Sequence, residues 1–165
     1  VSSTYWGADA VDFVTSRELF NGTSASTFSP NSAMDGAMIV TVLARFAGVD
    51  TSTGSTWYEA GVQWAKSTGI SDGSDLTGSV TREQLATMLY RYAQSQGLGF
   101  TGTWAFSLDY ADADQVSEYA YEAMCWMTMN GIFDGVGDNM LDPAGTATRA
   151  QVATILMRFI ENFAQ

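Results

Sequence analysis

The chain has no histidine, one cysteine, two prolines, and seven basic residues against eighteen acidic ones, for a net charge of −11. No His, no second Cys and no phosphate-binding glycine loop leave little to build a catalytic site from. The single cysteine, Cys125, excludes an intrachain disulfide. Its neighbours Met124, Trp126 and Met127 make it read as a buried small hydrophobe, with a reactive or interchain thiol as the alternative. The shortage of Lys and Arg excludes a nucleic-acid partner, because phosphate binding needs clustered cations. It argues equally against an anionic membrane. No run is long and apolar enough for a signal peptide or a membrane helix, so no membrane insertion is expected. The chain starts at Val1 without a Met. It reads as a piece excised from a longer protein whose other domains are possible partners, with any targeting segment elsewhere.

What is present is a folded composition: 165 residues, 46% hydrophobic, with five Trp, seven Tyr and nine Phe. That is enough for a real core in one compact unit spanning 1–165. Within it a short helix occurs three times. Asp35-Gly36-Ala37-Met38 leads into Ile39, Val42, Leu43, Arg45 and Phe46. Thr81-Arg82-Glu83-Gln84 leads into Leu85, Met88, Leu89, Arg91 and Tyr92, and Thr148-Arg149-Ala150-Gln151 into Val152, Ile155, Leu156, Arg158 and Phe159. From Asp35 to Thr81 is 46 residues, and from Thr81 to Thr148 is 67. Repeats of this kind are one supersecondary unit that needs its neighbours to bury its apolar face.

Each copy has an earlier helix and a connecting loop. Trp57 to Ala65 runs into Gly69-Ile70, Tyr119 to Trp126 into Gly131-Ile132, and Trp6 to Phe13 into a longer helix ending near Phe20-Asn21-Gly22. Gly22, Gly69 and Gly131 stand where a helix C-terminus favours a left-handed residue. Loops rich in Gly, Ser and Asp follow at 23–34, 71–80 and 133–147. Thr81 with Gln84, and Thr148 with Gln151, fit the reciprocal capping box; Asp35 can cap, but Met38 cannot close the box. The linker 94–110, with Phe100, Trp104 and Phe106 among glycines, is expected to pack back onto the body, with short extended pairing possible.

These residues resemble the S-layer homology family. The segments that carry the resemblance are Thr27-Phe28-Ser29-Pro30, Leu141-Asp142-Pro143 and the two Thr-Arg tetrapeptides. The resemblance implies an all-α fold of three helix-loop-helix modules (1–49, 50–96 and 97–165) forming a pseudo-threefold, three-pronged spindle around a central three-helix bundle. It implies extracellular attachment of a bacterial surface protein to a peptidoglycan-linked secondary cell-wall polysaccharide, often carrying pyruvylated amino sugars. Sugar-binding roles carried over by position fall on Arg82 and Arg149 with Thr81 and Thr148, on Trp57, Trp6 and Tyr119, and on Gly22, Gly69 and Gly131. No cofactor, metal or catalytic residue is implied. The first module departs from the pattern, with Asp35-Gly36 in place of Thr-Arg.

The chemistry fits an acidic sugar. A guanidinium takes a carboxylate bidentately, a helix start offers free amides and a favourable dipole, and an indole lies against a sugar's C–H face. Each site also has a plainer reading. The tetrapeptides are helix caps with a solvated Arg. Core packing is the default for Trp6, Trp57, Trp64 and Trp126. Arg45, Arg91 and Arg158 support the helix dipole or pair with carboxylates across modules. Asp134, Asp138, Asn139 and Asp142 lack the calcium-loop spacing and read as turn residues. Asp109, Asp112, Asp114 and Glu118 read as a polar loop before a helix rather than paired catalytic acids. The expectation is a threefold scaffold with at most two arginine-armed grooves. The alternative is a structural or protein-interaction module with reduced glycan binding. An enzyme is the weakest reading.

Overall fold

The structure, a computed structural model, describes residues 1–24, 26–102 and 105–163. Among them are six α-helices and no strand: α1 Ala8–Ser16, α2 Gly36–Phe46, α3 Glu59–Thr68, α4 Arg82–Ser95, α5 Glu118–Met129 and α6 Arg149–Phe163, with a 3-10 turn at Ala113–Gln115. The chain divides into two compact units. One is Val1–Ser79 with Ala147–Gln165, and the other is Val80–Thr146.

The repeated helices are α2, α4 and α6, and their starts follow local chemistry. The carboxylate of Asp35 accepts the Met38 N–H at 2.8 Å. At Thr81 and Thr148 both halves of the capping box form. The threonine hydroxyl accepts from the Gln84 or Gln151 amide, and the glutamine carbonyl accepts from the threonine N–H. Each helix buries more than a stripe. In α2, Ile39, Val40, Val42 and Leu43 are all buried, as are Leu85, Leu89 and Tyr92 of α4 and Val152, Ile155, Leu156 and Phe159 of α6. Helices apolar on this much of their surface must lie inside a core, and each such side chain contributes roughly 1.5–3 kcal/mol. One polar residue recurs on them. Thr41, Thr87 and Thr154 each return a hydroxyl hydrogen to the carbonyl four residues back, which lets a polar side chain be buried without an unpaired donor.

Pairing of the helices crosses the repeat boundaries. In the first unit α3 packs on α2 and α1 packs on α6; in the second, α5 packs on α4. Each earlier helix therefore leans on the repeated helix of the copy before it, and α1 closes the cycle on the last. Small residues make the approach possible. A Cβ on Gly61 would stand 2.8 Å from Thr41 Cα, and Ala10 and Ala123 are buried at the matching positions.

The earlier helices end alike. The carbonyls of Val14, Ala65 and Met127 each accept two N–H groups, from Leu19 and Phe20, from Ile70 and Ser71, and from Ile132 and Phe133. The residue before each pair is left-handed: Glu18 at φ 57°, Gly69 at φ 78° and Gly131 at φ 70°. Gly69 and Gly131 are where the sequence reading puts them. Gly22 is not. The first helix stops at Ser16, sooner than its periodicity predicts, and Glu18 takes the left-handed turn. Gly22 falls four residues later, level with Gly73 and Gly135; a Cβ there would lie 2.5 Å from the Thr27 carbonyl. The glycine is needed for space in the loop, not for a helix end.

The linker packs against the second unit. The Phe100 N–H donates to the Tyr90 hydroxyl at 3.1 Å, and the Cys125 thiol, fully buried, faces the Phe106 carbonyl. Trp104 lies outside the described residues.

Candidate functional site

Three equivalent clusters form where the start of a repeated helix meets the loop of the following copy. In the first unit, the Arg149 N–H donates to Ser32 O (2.8 Å) and the Ala150 N–H to Pro30 O (2.9 Å). In the second, the Arg82 N–H donates to Gly145 O (2.9 Å) and the Glu83 N–H to Pro143 O (3.0 Å). The first unit repeats the contact at α2, where the Ala37 N–H donates to Leu76 O at 3.1 Å. The acceptors Pro30, Leu76 and Pro143 each follow a left-handed residue: Ser29, Asp75 and Asp142. These bonds correct one expectation. The first amides of α4 and α6 are not free for an anion, because the neighbouring loop already takes them.

Arg82 and Arg149 are buried, 5% and 7% exposed, which also overturns the reading of a solvated cap arginine. Arg149 Nε donates to Phe28 O at 2.8 Å and Nη2 to Asn21 O at 2.6 Å. Its guanidinium carbon lies 4.7 Å from the Phe28 ring centre and 5.4 Å from that of Phe20. Arg82 Nε donates to Leu141 O at 2.7 Å, and its guanidinium faces Phe133 at 5.2 Å. Each arginine thus clamps the following copy's loop. Burial pushes the pKa of both below the usual arginine value; for Arg82 the carboxylates of Asp142, Asp134 and Asp112 pull it back. At the third cluster the clamp and its seat are missing together. Gly36 replaces the arginine, Ser71 and Ser74 stand level with Phe133 and Leu141, and a Cβ on Gly36 would meet Leu76 Cα at 3.2 Å.

The aromatic residues fall in register. Eight positions before Val14, Ala65 and Met127 stand Trp6, Trp57 and Tyr119. They are 64%, 53% and 55% exposed. Core packing, the default from helical spacing, holds for Trp126 but not for Trp6 or Trp57, because the chain enters each helix through an outward turn. Trp6 tilts against Tyr5 at 5.4 Å and Trp57 meets Tyr58 edge-on at 5.2 Å. Trp6 and Tyr119 lie beside their clusters. A Cβ on Gly7, next to Trp6, would stand 3.6 Å from Ala150 Cβ, and the Tyr5 hydroxyl donates to Asn31 at 3.0 Å. The Tyr119 hydroxyl donates to Glu83 at 3.4 Å.

Glu83 escapes sequence reasoning, and Asp112, read from the sequence as part of a polar loop, is instead buried. Glu83, buried, accepts the Ser117 N–H (2.9 Å) and hydroxyl (2.7 Å). Asp112, 1% exposed, accepts the N–H groups of Leu141 and Asp142 at 2.8 Å each. The only signal for Glu83 is that alanine stands at the matching positions, 37 and 150. Asp112 carries none, since its partners lie some thirty residues away. Arg45 finds neutral acceptors, the Thr51 hydroxyl and the Leu19 carbonyl, rather than a carboxylate. Among the described residues no group of acids could hold a metal, and no helix is long and apolar enough to cross a membrane. Asp138 and Asn139 are left-handed turn residues, in keeping with their turn reading.

Repeated helices that dock on the next copy's loop, with an exposed aromatic ahead of each earlier helix, define an all-α class of repeat-built protein. The sequence model of the S-layer homology domain matches residues 1–37 and 109–153. The chain is 24% identical over 176 residues to an amylopullulanase of Thermoanaerobacterium thermosulfurigenes, covering 94% of the chain and 9% of that protein. An endoglucanase of Bacillus sp. (strain KSM-635) is 25% identical, over 94% of the chain and 18% of its own length. For the exoglucanase XynX of Acetivibrio thermocellus the figures are 22%, 94% and 16%. The chain belongs to the S-layer homology family. Domains of this family anchor proteins to the bacterial cell surface, and membership implies a cell-wall polymer as partner. The chain spans less than a fifth of each relative.

Proposed function

We propose that the chain is the non-covalent wall anchor of a bacterial surface protein, binding a peptidoglycan-linked secondary polysaccharide with acidic or pyruvylated sugars. In this reading 50–96 is a third module, and the three repeated helices meet as the central bundle of a three-pronged spindle. The observation that carries the reading is the register of Trp6, Trp57 and Tyr119. Three aromatics at one position of the repeat, each more than half exposed, are costly to leave in water unless they meet a ligand. Flat aromatics suit the apolar face of a sugar ring while their N–H or O–H serves its hydroxyls. Arg82 and Arg149 act beneath them, shaping the loop and lending positive charge, and the threonine caps and the turns at Gly22, Gly69 and Gly131 frame the groove. Any hydrolase activity of a longer protein would lie outside this chain, as the small share of each relative suggests.

Pull-down with purified wall sacculi tests the proposal. A Trp6→Ala, Trp57→Ala, Tyr119→Ala triple variant, folded because these side chains are exposed, should lose retention. Undiminished retention would refute it. The alternative, a protein-interaction module, draws on Gly36 and on the burial of both arginines. Concentration-dependent self-association without wall binding would select it.

A further inference from the structure

The three clusters differ in one respect that the repeat conceals. Just ahead of each earlier helix, two residues before the exposed aromatic, stands a residue with a hydroxyl and a backbone N–H: Thr4, Ser55 and Ser117. Such a pair is a seat for a carboxylate, because an N–H and a hydroxyl of one residue can converge on the same acceptor group. At Ser117 the seat is filled by Glu83, which takes both donors. At Ser55 it is filled by Glu59, whose Oε2 takes both the N–H and the hydroxyl. At Thr4 the partner is neutral: among the described residues the Thr4 hydroxyl and N–H meet the Ser2 hydroxyl, at 2.9 Å and 3.3 Å. Position 150, which corresponds to Glu83, is an alanine.

The charges beneath the seats follow the same division. The cluster at Ser55 has Gly36 in place of an arginine. The one at Ser117 has Arg82, but Asp142, Asp134 and Asp112 surround it. The one at Thr4 has Arg149, which is buried and whose guanidinium hydrogen-bonds two neutral carbonyls.

On the wall-glycan reading above, we infer that the three grooves are chemically unequal: Glu83 and Glu59 are resident carboxylates that exclude an acidic sugar from two of them. The groove of Trp6, Thr4 and Arg149 is then the one acidic-sugar site. Glu83 is a specificity-determining residue, and its replacement opens the Tyr119 groove. The groove at Gly36 is expected to stay closed to an acidic sugar even without Glu59, because a glycine stands where the other two have an arginine.

Calorimetric titration of the whole chain tests this, with the methyl glycoside of a 4,6-pyruvylated N-acetylhexosamine as probe and its pyruvate-free form as control. The wild-type chain should bind one equivalent of the pyruvylated probe, and Trp6→Ala should abolish that binding while Trp57→Ala and Tyr119→Ala leave it. Glu83→Ala, which installs the residue found at position 150 and vacates the seat at Ser117, should raise the stoichiometry to two. Ala150→Glu should weaken binding at least tenfold; its circular dichroism reports whether it folds, and Glu83→Ala carries the test if it does not. Two sites in the wild type, or one site unchanged in Glu83→Ala, would overturn the role of Glu83 while leaving wall anchoring intact. No binding of the pyruvylated probe by either protein, together with no retention on sacculi, would overturn the wall-glycan reading itself.

Discussion

Replacing Arg149 by alanine should destabilise the first unit by about 3 kcal/mol. The side chain makes two charge-assisted hydrogen bonds, to Phe28 O and Asn21 O, each contributing roughly 1.5–3 kcal/mol. Its contacts with the Phe20 and Phe28 rings add about 0.5–2 kcal/mol. Desolvating the cation costs several kcal/mol and offsets much of that sum, but removing one partner of a buried charged network still costs about 3–5 kcal/mol. The lower end applies because the stranded loop can admit water to its two carbonyls. For a chain of this length the loss corresponds to a melting temperature roughly 6–12 °C lower. Urea unfolding followed by tryptophan fluorescence measures the change, and amide exchange over 18–34 localises it to the clamped loop. Arg149→Lys should recover less than half, since an ammonium cannot reach two carbonyls as a fork. A loss below about 1 kcal/mol with loop protection unchanged would refute the clamp and restore the solvated cap arginine.

Gly61→Ala should separate α2 from α3, because its Cβ would fall 2.8 Å from Thr41 Cα; an overpacking cost of about 1–3 kcal/mol, despite alanine's better helix propensity, is expected in urea unfolding. Thr148→Ala should cost about 1 kcal/mol by removing the hydroxyl that accepts the Gln151 N–H, and Thr148→Ser should restore it in the same assay. With a net charge of −11, association with an acidic wall polymer should quicken as salt rises from about 0.02 to 0.15 M, where the Debye length shortens to roughly 8 Å. Stopped-flow mixing reads the rate, and a slower rate at the higher salt would mean that the positive groove, not the surface, governs the encounter.

Much of the architecture was legible in the sequence because it rests on local rules. Caps at Asp35, Thr81 and Thr148, the turns at Gly69 and Gly131, and three helices with matching apolar positions all follow from interactions within four or five residues. The stop of α1 at Ser16 was not legible. Glycine's preference for left-handed backbone points to Gly22, yet a short helix is ended by where its apolar face runs out, and Leu19 and Phe20 turn inward too soon. Helical periodicity put Trp6 and Trp57 in the core, since it gives the spacing of a face and not which face turns to water; the family resemblance alone pointed them outward, at a sugar. The amides of α4 and α6 looked free for the same kind of reason: the carbonyls that occupy them belong to loops sixty or more residues away.

By itself, then, the sequence determined three equivalent helix starts and the loss of one arginine at Gly36, because capping and periodicity act over a few residues. Tertiary structure alone decided what the remaining arginines do. Burial in the next copy's loop made Arg82 and Arg149 clamps, and the tertiary fold brought the charges of Asp142, Asp134 and Asp112 to bear on Arg82. The physical reason is that a charge's effect depends on its desolvation and its neighbours, and in this chain both are supplied by residues distant in sequence.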